Sequence, residues 1–271
     1  MPTKVMLLLL ILAGVPQFSN GEEAAAEPPK NPAAKAPAKP VEMDEAARSL
    51  LDAWEKKLYQ PGRAGVKKAT CSIQATVQHP KFPKPLQATG QFRWDAGAAE
   101  SGRLAWDHEV AGALLMEQGW NAQNLSEPYD PEHFRKSLAG AKLSARADGE
   151  RTVLAVAGPT AAGFKEFVFD GAGLLAESVM AVPGRGGAAG EIRFKHAYRK
   201  EGEQYLFLGW SYTFEPPGQG KLESTVKITQ AQVGAYWVWS KVEESVSLDG
   251  KVIGSTLLEF SAQRFNAEAG E

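Results

Sequence analysis

The residues of this chain that could do chemistry are few and scattered. Four histidines are available, His79, His108, His133 and His196, and only His108 stands among carboxylates, between Asp107 and Glu109. A strand is expected there, and neighbouring strand residues alternate faces, so His108 shares a side with neither acid and a metal site is not expected. Glu243 and Glu244 are adjacent in another expected strand and cannot act as a paired acid and base. No HExxH or CxxC spacing and no Gly-x-Ser-x-Gly elbow occurs. The run from Pro183 to Gly190 lacks the Gly-Lys-Ser/Thr ending of a phosphate loop, and Asp170 to Gly173 lacks the alternating oxygen ligands of a calcium loop, so both read as connections. The single cysteine, Cys71, lies in an alternating run and reads as a small buried hydrophobe rather than a reactive thiol. Asn124-Leu125-Ser126 is a glycosylation sequon, relevant only in a host that glycosylates its exports. No catalytic residue, metal or cofactor is expected, and a hydrolase ranks last among functional readings.

What remains is apolar surface. The chain of 271 residues has a net charge of −2, 23% charged and 44% hydrophobic residues, and no clustered basic field for nucleic acid. Its seven tryptophans are Trp54, Trp94, Trp106, Trp120, Trp210, Trp237 and Trp239. Most read first as core, because aromatic residues dominate core burial.

The clearest element is the C-terminal hairpin from Ala235 to Phe265, two long runs rich in β-formers around Asp249-Gly250, a pair suited to a type I′ turn. A turn centred there pairs Leu248 with Lys251, Val246 with Ile253, Val242 with Leu257 and Trp239 with Phe260. One face then carries Val238, Val242, Val246, Leu248, Ile253 and Leu257, interrupted by Ser240, Glu244 and Glu259. The other carries Trp237, Trp239, Leu258 and Phe260 at its open end and polar residues towards the turn. A half-apolar second face requires a cover, a partner or a ligand.

A cover is on offer. Asp44 can cap a helix whose stripe of Ala47, Leu50, Leu51, Trp54 and Leu58 has a 3.6-residue period and which ends at Pro61-Gly62. Strands follow over 69–78, 87–95, 103–110, 114–120, 142–147, 151–157, 164–169, 174–182, 191–199, 204–214 and 222–230, joined by hairpin-like links, with one short helix over Pro131 to Leu138. The expected fold is mainly β, of the α+β class: a long, curved antiparallel meander forming an incomplete barrel, with one amphipathic helix and a short second helix on its inner face.

At the N-terminus, Lys4 and the apolar run from Val5 to Val15 have the layout of a secretory signal over residues 1–21, too short to span a bilayer comfortably. Residues 22–42, rich in Ala and Pro, read as a disordered tether, 43–266 as one domain and 267–271 as a disordered tail. A periplasmic or secreted location follows. With one cysteine no intramolecular disulfide can form, so the core must hold the domain together.

Several stretches carry a family resemblance: Gly90-Gln91-Phe92, Arg103-Leu104-Ala105-Trp106-Asp107, Thr152 to Val156, Phe164 to Phe167, Phe169 to Gly173 and Gly190 to Phe194. In order and spacing they resemble the LolA-like periplasmic lipoprotein carriers, although Ala105 stands where arginine is common in that family. The resemblance implies an incomplete barrel lidded by helices over a cavity for acyl chains. It also implies a lid-holding arginine, for which Arg103 is the candidate. On this reading the chain is a monomeric, non-enzymatic carrier of lipid or an acylated lipoprotein, capable of peripheral membrane contact. Its ligand-binding residues are Trp54, Trp106, Trp237, Trp239, Leu258 and Phe260. The alternative is a periplasmic scaffold of the same fold with a filled core; an open apolar space between helix and sheet favours the carrier, a filled one the scaffold.

Overall fold

The computed structural model describes residues 41–98, 101–158, 163–182, 190–215 and 220–266. The signal, the tail, the tether up to residue 40 and residues 183–189 of the glycine-rich connection lie outside the described residues.

The alternating apolar runs fold into one mainly antiparallel sheet of 13 strands: β1 Glu42–Met43, β2 Lys68–Gln78, β3 Leu86–Asp95, β4 Gly102–Trp106, β5 Lys142–Asp148, β6 Arg151–Ala157, β7 Phe164–Phe169, β8 Leu175–Val182, β9 Gly190–Glu201, β10 Gln204–Phe214, β11 Leu222–Val233, β12 Tyr236–Leu248 and β13 Lys251–Phe265. The spatial order is β1-β5-β6-β7-β8-β9-β10-β11-β12-β13-β2-β3-β4, so β1 and β4 are the edges and the barrel is incomplete. A meander from β5 to β13 returns to pair β13 with β2, which places the chain's two halves side by side.

Pairing fixes which side chains share the inner face. One register row runs Leu154, Phe167, Ser178, Phe194, Tyr212, Ser224, Val246, Gly254 across eight strands from β6 to β13. A second runs His196, Trp210, Val226, Glu244, Thr256, Val77. Side chains two apart along each strand share that face, which is apolar along nearly all of the sheet.

The terminal hairpin turns where the sequence places it, with Asp249 and Gly250 at φ 50° and 77°, and Leu248 faces Lys251. Beyond that pair the expected register fails. A bulge between Val246 and Ser247 puts Val246 opposite Gly254 and Val242 opposite Leu258, one residue away from the alternation-based pairing. Leu258 therefore joins Val242 on the buried face, and Leu257 faces Glu243. A second irregularity between Thr229 and Gln230 sets Trp239 opposite Gln230.

The 107–141 segment departs further from expectation. The strand expected over 103–110 ends at Trp106, and most of the strand expected over 114–120 is helix α2, Glu109–Glu117. His108 is its N-cap, Nδ1 accepting from Ala111 N at 3.2 Å, and Ala111, Gly112 and Leu115 are buried on its face. That apolar run is too short to separate the two periods by pattern alone. A shorter helix, α3 (Ala122–Leu125), follows, and the expected helix after Pro131 forms as α4, His133–Ser137. The first helix, α1 (Glu45–Lys57), is as expected: Asp44 caps it at 2.6 Å from Ala47 N, and Ala47, Leu51 and Trp54 are buried.

Gly209 marks a sharp bend in β10, where the register with β9 skips Leu208. Its φ is +117°, and a Cβ there would lie 2.0 Å from the Val226 carbonyl oxygen. Gly209→Ala is expected to cost at least ~2 kcal/mol in urea denaturation, since strain and a backbone clash add; an unchanged midpoint would contradict this bend.

Candidate functional site

The inner face has three zones. Over β5 to β8 lies α1, whose Ala47, Leu51 and Trp54 pack with Leu143, Leu154, Phe167 and Phe169. Trp54 meets Phe134 of α4 edge-on at 4.8 Å and Phe169 at 5.9 Å. Its indole Nε1 is buried and closes no hydrogen bond of normal geometry, although it acts electrostatically on the Tyr198 hydroxyl.

Over β2, β3, β12 and β13 lies the 107–129 stretch. Leu115, Trp120, Leu125 and Tyr129 pack there with Cys71, Ile73, Phe92, Trp94, Val242 and Leu258. Little space is left beneath: Cys71, Phe92, Leu125, Pro128, Tyr129, Trp239 and Phe260 line a void of about 10 Å³, room for about one water at most.

Between these covers, on β9 and β10, Tyr198, Phe207 and Trp210 remain half-buried. Phe207 stacks on Trp210 at 6.2 Å with planes 11° apart and meets Tyr198 at 5.6 Å. Three aromatic residues thus form a partly uncovered strip joining the two clusters.

Of the residues expected to bind ligand, Trp106, Trp239, Leu258 and Phe260 gather in the cluster under the 107–129 stretch. Leu258 is fully buried, and Trp239 meets Phe260 at 6.5 Å. Trp106 fits a slot between Gly90 and Gly112, where Cβ atoms would lie 2.6 Å and 2.9 Å from its side chain. Trp54 belongs to the other cluster. Trp237 belongs to neither; its backbone N–H donates to the Tyr59 hydroxyl at 2.9 Å and its ring lies 5.4 Å from the Arg199 guanidinium.

Arg103 is exposed, opposite Arg93 across β3 and β4 and on the side away from buried Phe92 and Trp94. The ionic clasp between covering elements is made by Arg135 of α4. Its Nε donates to Glu55 at 2.8 Å and its Nη2 to Asp52 at 2.5 Å, while Arg63 pairs with Glu55 at 2.8 Å. Glu55 is only 13% exposed, so the clasp is partly shielded from water.

Sequence reasoning missed Glu244. It lies in the second inner row between Val226 and Thr256, and Trp120 Nε1 donates to its carboxylate at 3.0 Å. Beside it Thr256 donates to Gln118 Oε1 at 2.8 Å. Desolvation raises the Glu244 carboxyl to about 7 against the small opposing effect of the Trp120 bond. The signal was present: Glu244 interrupts the apolar series Val238, Val242, Val246. In the same row His196 lies 2.7 Å from the Ser178 hydroxyl, and burial lowers it to about 4. Burial also pushes the Cys71 thiol up to about 12, in keeping with an inert structural cysteine. Glu127 is raised by desolvation, which His133 partly offsets; its exposure to solvent leaves only part of that effect operative.

A concavity of about 440 Å³ lies on the opposite face, lined by Arg193, Lys195, Thr213, Glu223 and Ser245 among others. It is polar and suits no acyl chain. Arg193 is already engaged by Glu177 and Glu191, and Glu223 by Lys221. No group of three or more His, Cys, Asp or Glu that could hold a metal occurs among the described residues.

No protein-family model matches the chain, and no curated protein matches it. Solved structures similar to it include a DUF1329 family protein from Desulfovibrio piger, at 8% identity and a TM-score of 0.37 over 83% of this chain and 94% of that one. A putative outer membrane lipoprotein-sorting protein domain from Vibrio parahaemolyticus is similar at 9% identity and 0.33, over 84% and 95%. A LolA superfamily protein from Nitrosomonas europaea is similar at 7% and 0.28, over 82% and 94%. At these identities and TM-scores the likeness transfers no ligand and no role to this chain. The open, helix-covered antiparallel sheet agrees with the incomplete barrel that the sequence resemblance implied.

Two expectations follow from this geometry. Arg135→Ala should cost about 1–2 kcal/mol in urea denaturation, because it leaves the shielded Glu55 with Arg63 alone and frees α4, whereas Arg103→Ala should stay within about 0.5 kcal/mol. Glu244→Gln should gain stability relative to the unmodified chain as pH rises from 4.5 to about 7, by roughly 2–3 kcal/mol, then level off. The sign follows because a carboxyl raised in the folded state binds more protons folded than unfolded across that window. His196 works oppositely, losing stability as pH falls from 6.5 towards 4, so Glu244→Gln should also unmask acid sensitivity in denaturation midpoints taken from pH 4.5 to 8.

Proposed function

We propose that the chain is an exported, non-enzymatic carrier that holds acyl chains of a lipid or lipoprotein against the inner face of its sheet. The observation that carries this reading is the partly uncovered aromatic strip of Tyr198, Phe207 and Trp210 between two covered clusters. Such a strip leaves apolar area in contact with water, at about 25 cal/mol per Å², unless a ligand lies on it. An extended acyl chain entering over β9 and β10 meets Trp239 and Phe260 once residues 118–129 lift. In this reading residues 1–21 direct export, 22–42 tether the domain of 43–266, and the protein works as a monomer in the periplasm or outside the cell.

One observation favours the alternative scaffold: the space under the 107–129 stretch holds a void of only about 10 Å³. A scaffold would keep that segment seated and use the aromatic strip as a protein interface.

The two readings separate in one experiment. Organic extraction of the purified protein followed by mass spectrometry, with binding of a fluorescent acyl probe, is expected to find lipid and saturable binding. Phe207→Ala with Trp210→Ala should weaken the probe at least about tenfold, as loss of two aromatic contacts implies. No extracted lipid and no probe binding would leave the scaffold.

A further inference from the structure

The strongest unexplained feature of the inner face is a single carboxyl in the middle of an apolar wall, met by an indole from the covering segment. We propose that Trp120–Glu244, with Gln118–Thr256 beside it, is a proton-operated latch that holds residues 118–129 over the acyl site, closing it when Glu244 is protonated and freeing it when Glu244 ionises. This rests on the carrier reading for the identity of the site, though not for the latch itself.

The geometry has three parts. The latch groups lie on adjacent positions of one inner row: Glu244 of β12 faces Thr256 of β13, and the two accept from and donate to Trp120 and Gln118 at 3.0 Å and 2.8 Å. Trp120 and Gln118 flank Gly119, whose φ of 92° turns the chain out of α2, so both contacts hang on the same short corner. Residues immediately after this corner, Leu125, Pro128 and Tyr129, fill the space over Cys71, Phe92, Trp239 and Phe260. Lifting the corner therefore uncovers that apolar face.

The direction of switching follows from solvation. Under the segment the carboxyl loses its water, which favours the neutral form more than the single bond from Trp120 favours the anion; once the segment lifts, water stabilises the anion. Opening therefore becomes easier with rising pH, by up to tenfold per unit between the ordinary carboxylate value of 4.5 and about 7. The neighbouring groups do not counter it. From β10 the Tyr212 phenol faces Glu244 and is itself raised by burial, hence neutral. From β11 and β13 the row neighbours are Val226 and Thr256, and from the covering segment Trp120 and Gln118. His196 stands in the same row beyond Trp210 and Val226.

The test uses the full chain and two independent readouts. Hydrogen exchange followed by mass spectrometry, corrected for intrinsic rates, should show protection of residues 115–129 falling several-fold per unit from pH 5 to 7. Protection of β6 and β7, in the other cluster, should hold steady. Glu244→Gln should flatten the profile, and Trp120→Phe should lower protection at pH 5 towards its pH 7 value. A pyrene-labelled fatty alcohol, whose charge does not change in this range, should bind faster at pH 7.5 than at pH 5 in the unmodified chain alone. The same slope in Glu244→Gln, or a parallel loss of protection in β6 and β7, overturns the latch. PH-gated exchange without probe binding keeps the latch and overturns the acyl site, whereas probe binding at one rate in both variants and at both pH values does the reverse.

Discussion

An open sheet with one apolar face must keep that face from water, and the rest of this structure follows from that constraint. Thirteen strands paired without closure leave two edges and a long inner surface whose rows run from Leu154 to Gly254 and from His196 to Val77. A closed barrel would cover such a surface by itself; here helices and loops must. The chain uses two separate covers, α1 with α4 at one side and the 107–129 stretch at the other, and each builds its own cluster. The strip between them, on β9 and β10, is covered only in part, Tyr198 packing on the first cluster and Phe207 and Trp210 on the second.

The two covers are held by different physics. The first is held by burial of Ala47, Leu51 and Trp54 and by a charged clasp in which Arg135 and Arg63 share Glu55. The bonds to Glu55 and Asp52 hold the Arg135 guanidinium still more firmly in its charged form. The second is held by apolar contacts and by two hydrogen bonds to polar groups of the wall, one of them a carboxyl whose ionisation is unfavourable where it sits. A desolvated carboxyl with one donor is a weak point by construction, since the same burial that seats the indole penalises the charge. In the latch proposed above, this asymmetry is what would let the second cover lift while the first stays seated.

Hydrophobic alternation made most of the sheet legible in advance, because period-two patterns bounded by Gly and Asp turns depend only on neighbours in the chain. The capped helix at Asp44 was legible for the same reason, through a cap and a 3.6-residue stripe within 15 residues. The stretch 109–120 was misread because Val-Ala-Gly-Ala-Leu-Leu is too short and too uniformly apolar to show a period. What made it a helix lies elsewhere: Gly112 must leave room for Trp106, and Trp120 must reach β12. The hairpin register was legible at its turn and lost within four residues, since a bulge obeys packing against β11 and β2 rather than local pattern.

The candidate site divides in the same way. By itself the sequence showed no recognisable catalytic motif, marked apolar residues around Trp239 and Phe260 that needed covering, and offered a capped helix bearing Trp54; the bulges then put those residues on the same face as Val242 rather than on a second one. Only the tertiary structure decided that a different segment covers them, that Trp54 serves the other cluster, and that Arg135 rather than Arg103 makes an ionic clasp, tying α4 to α1. It also decided that Glu244, in sequence merely a polar interruption, faces Trp120 from 124 residues away. The reason is physical: alternation and capping are set by adjacent residues, whereas the solvation of a carboxyl is set by whatever distant part of the chain comes to lie over it.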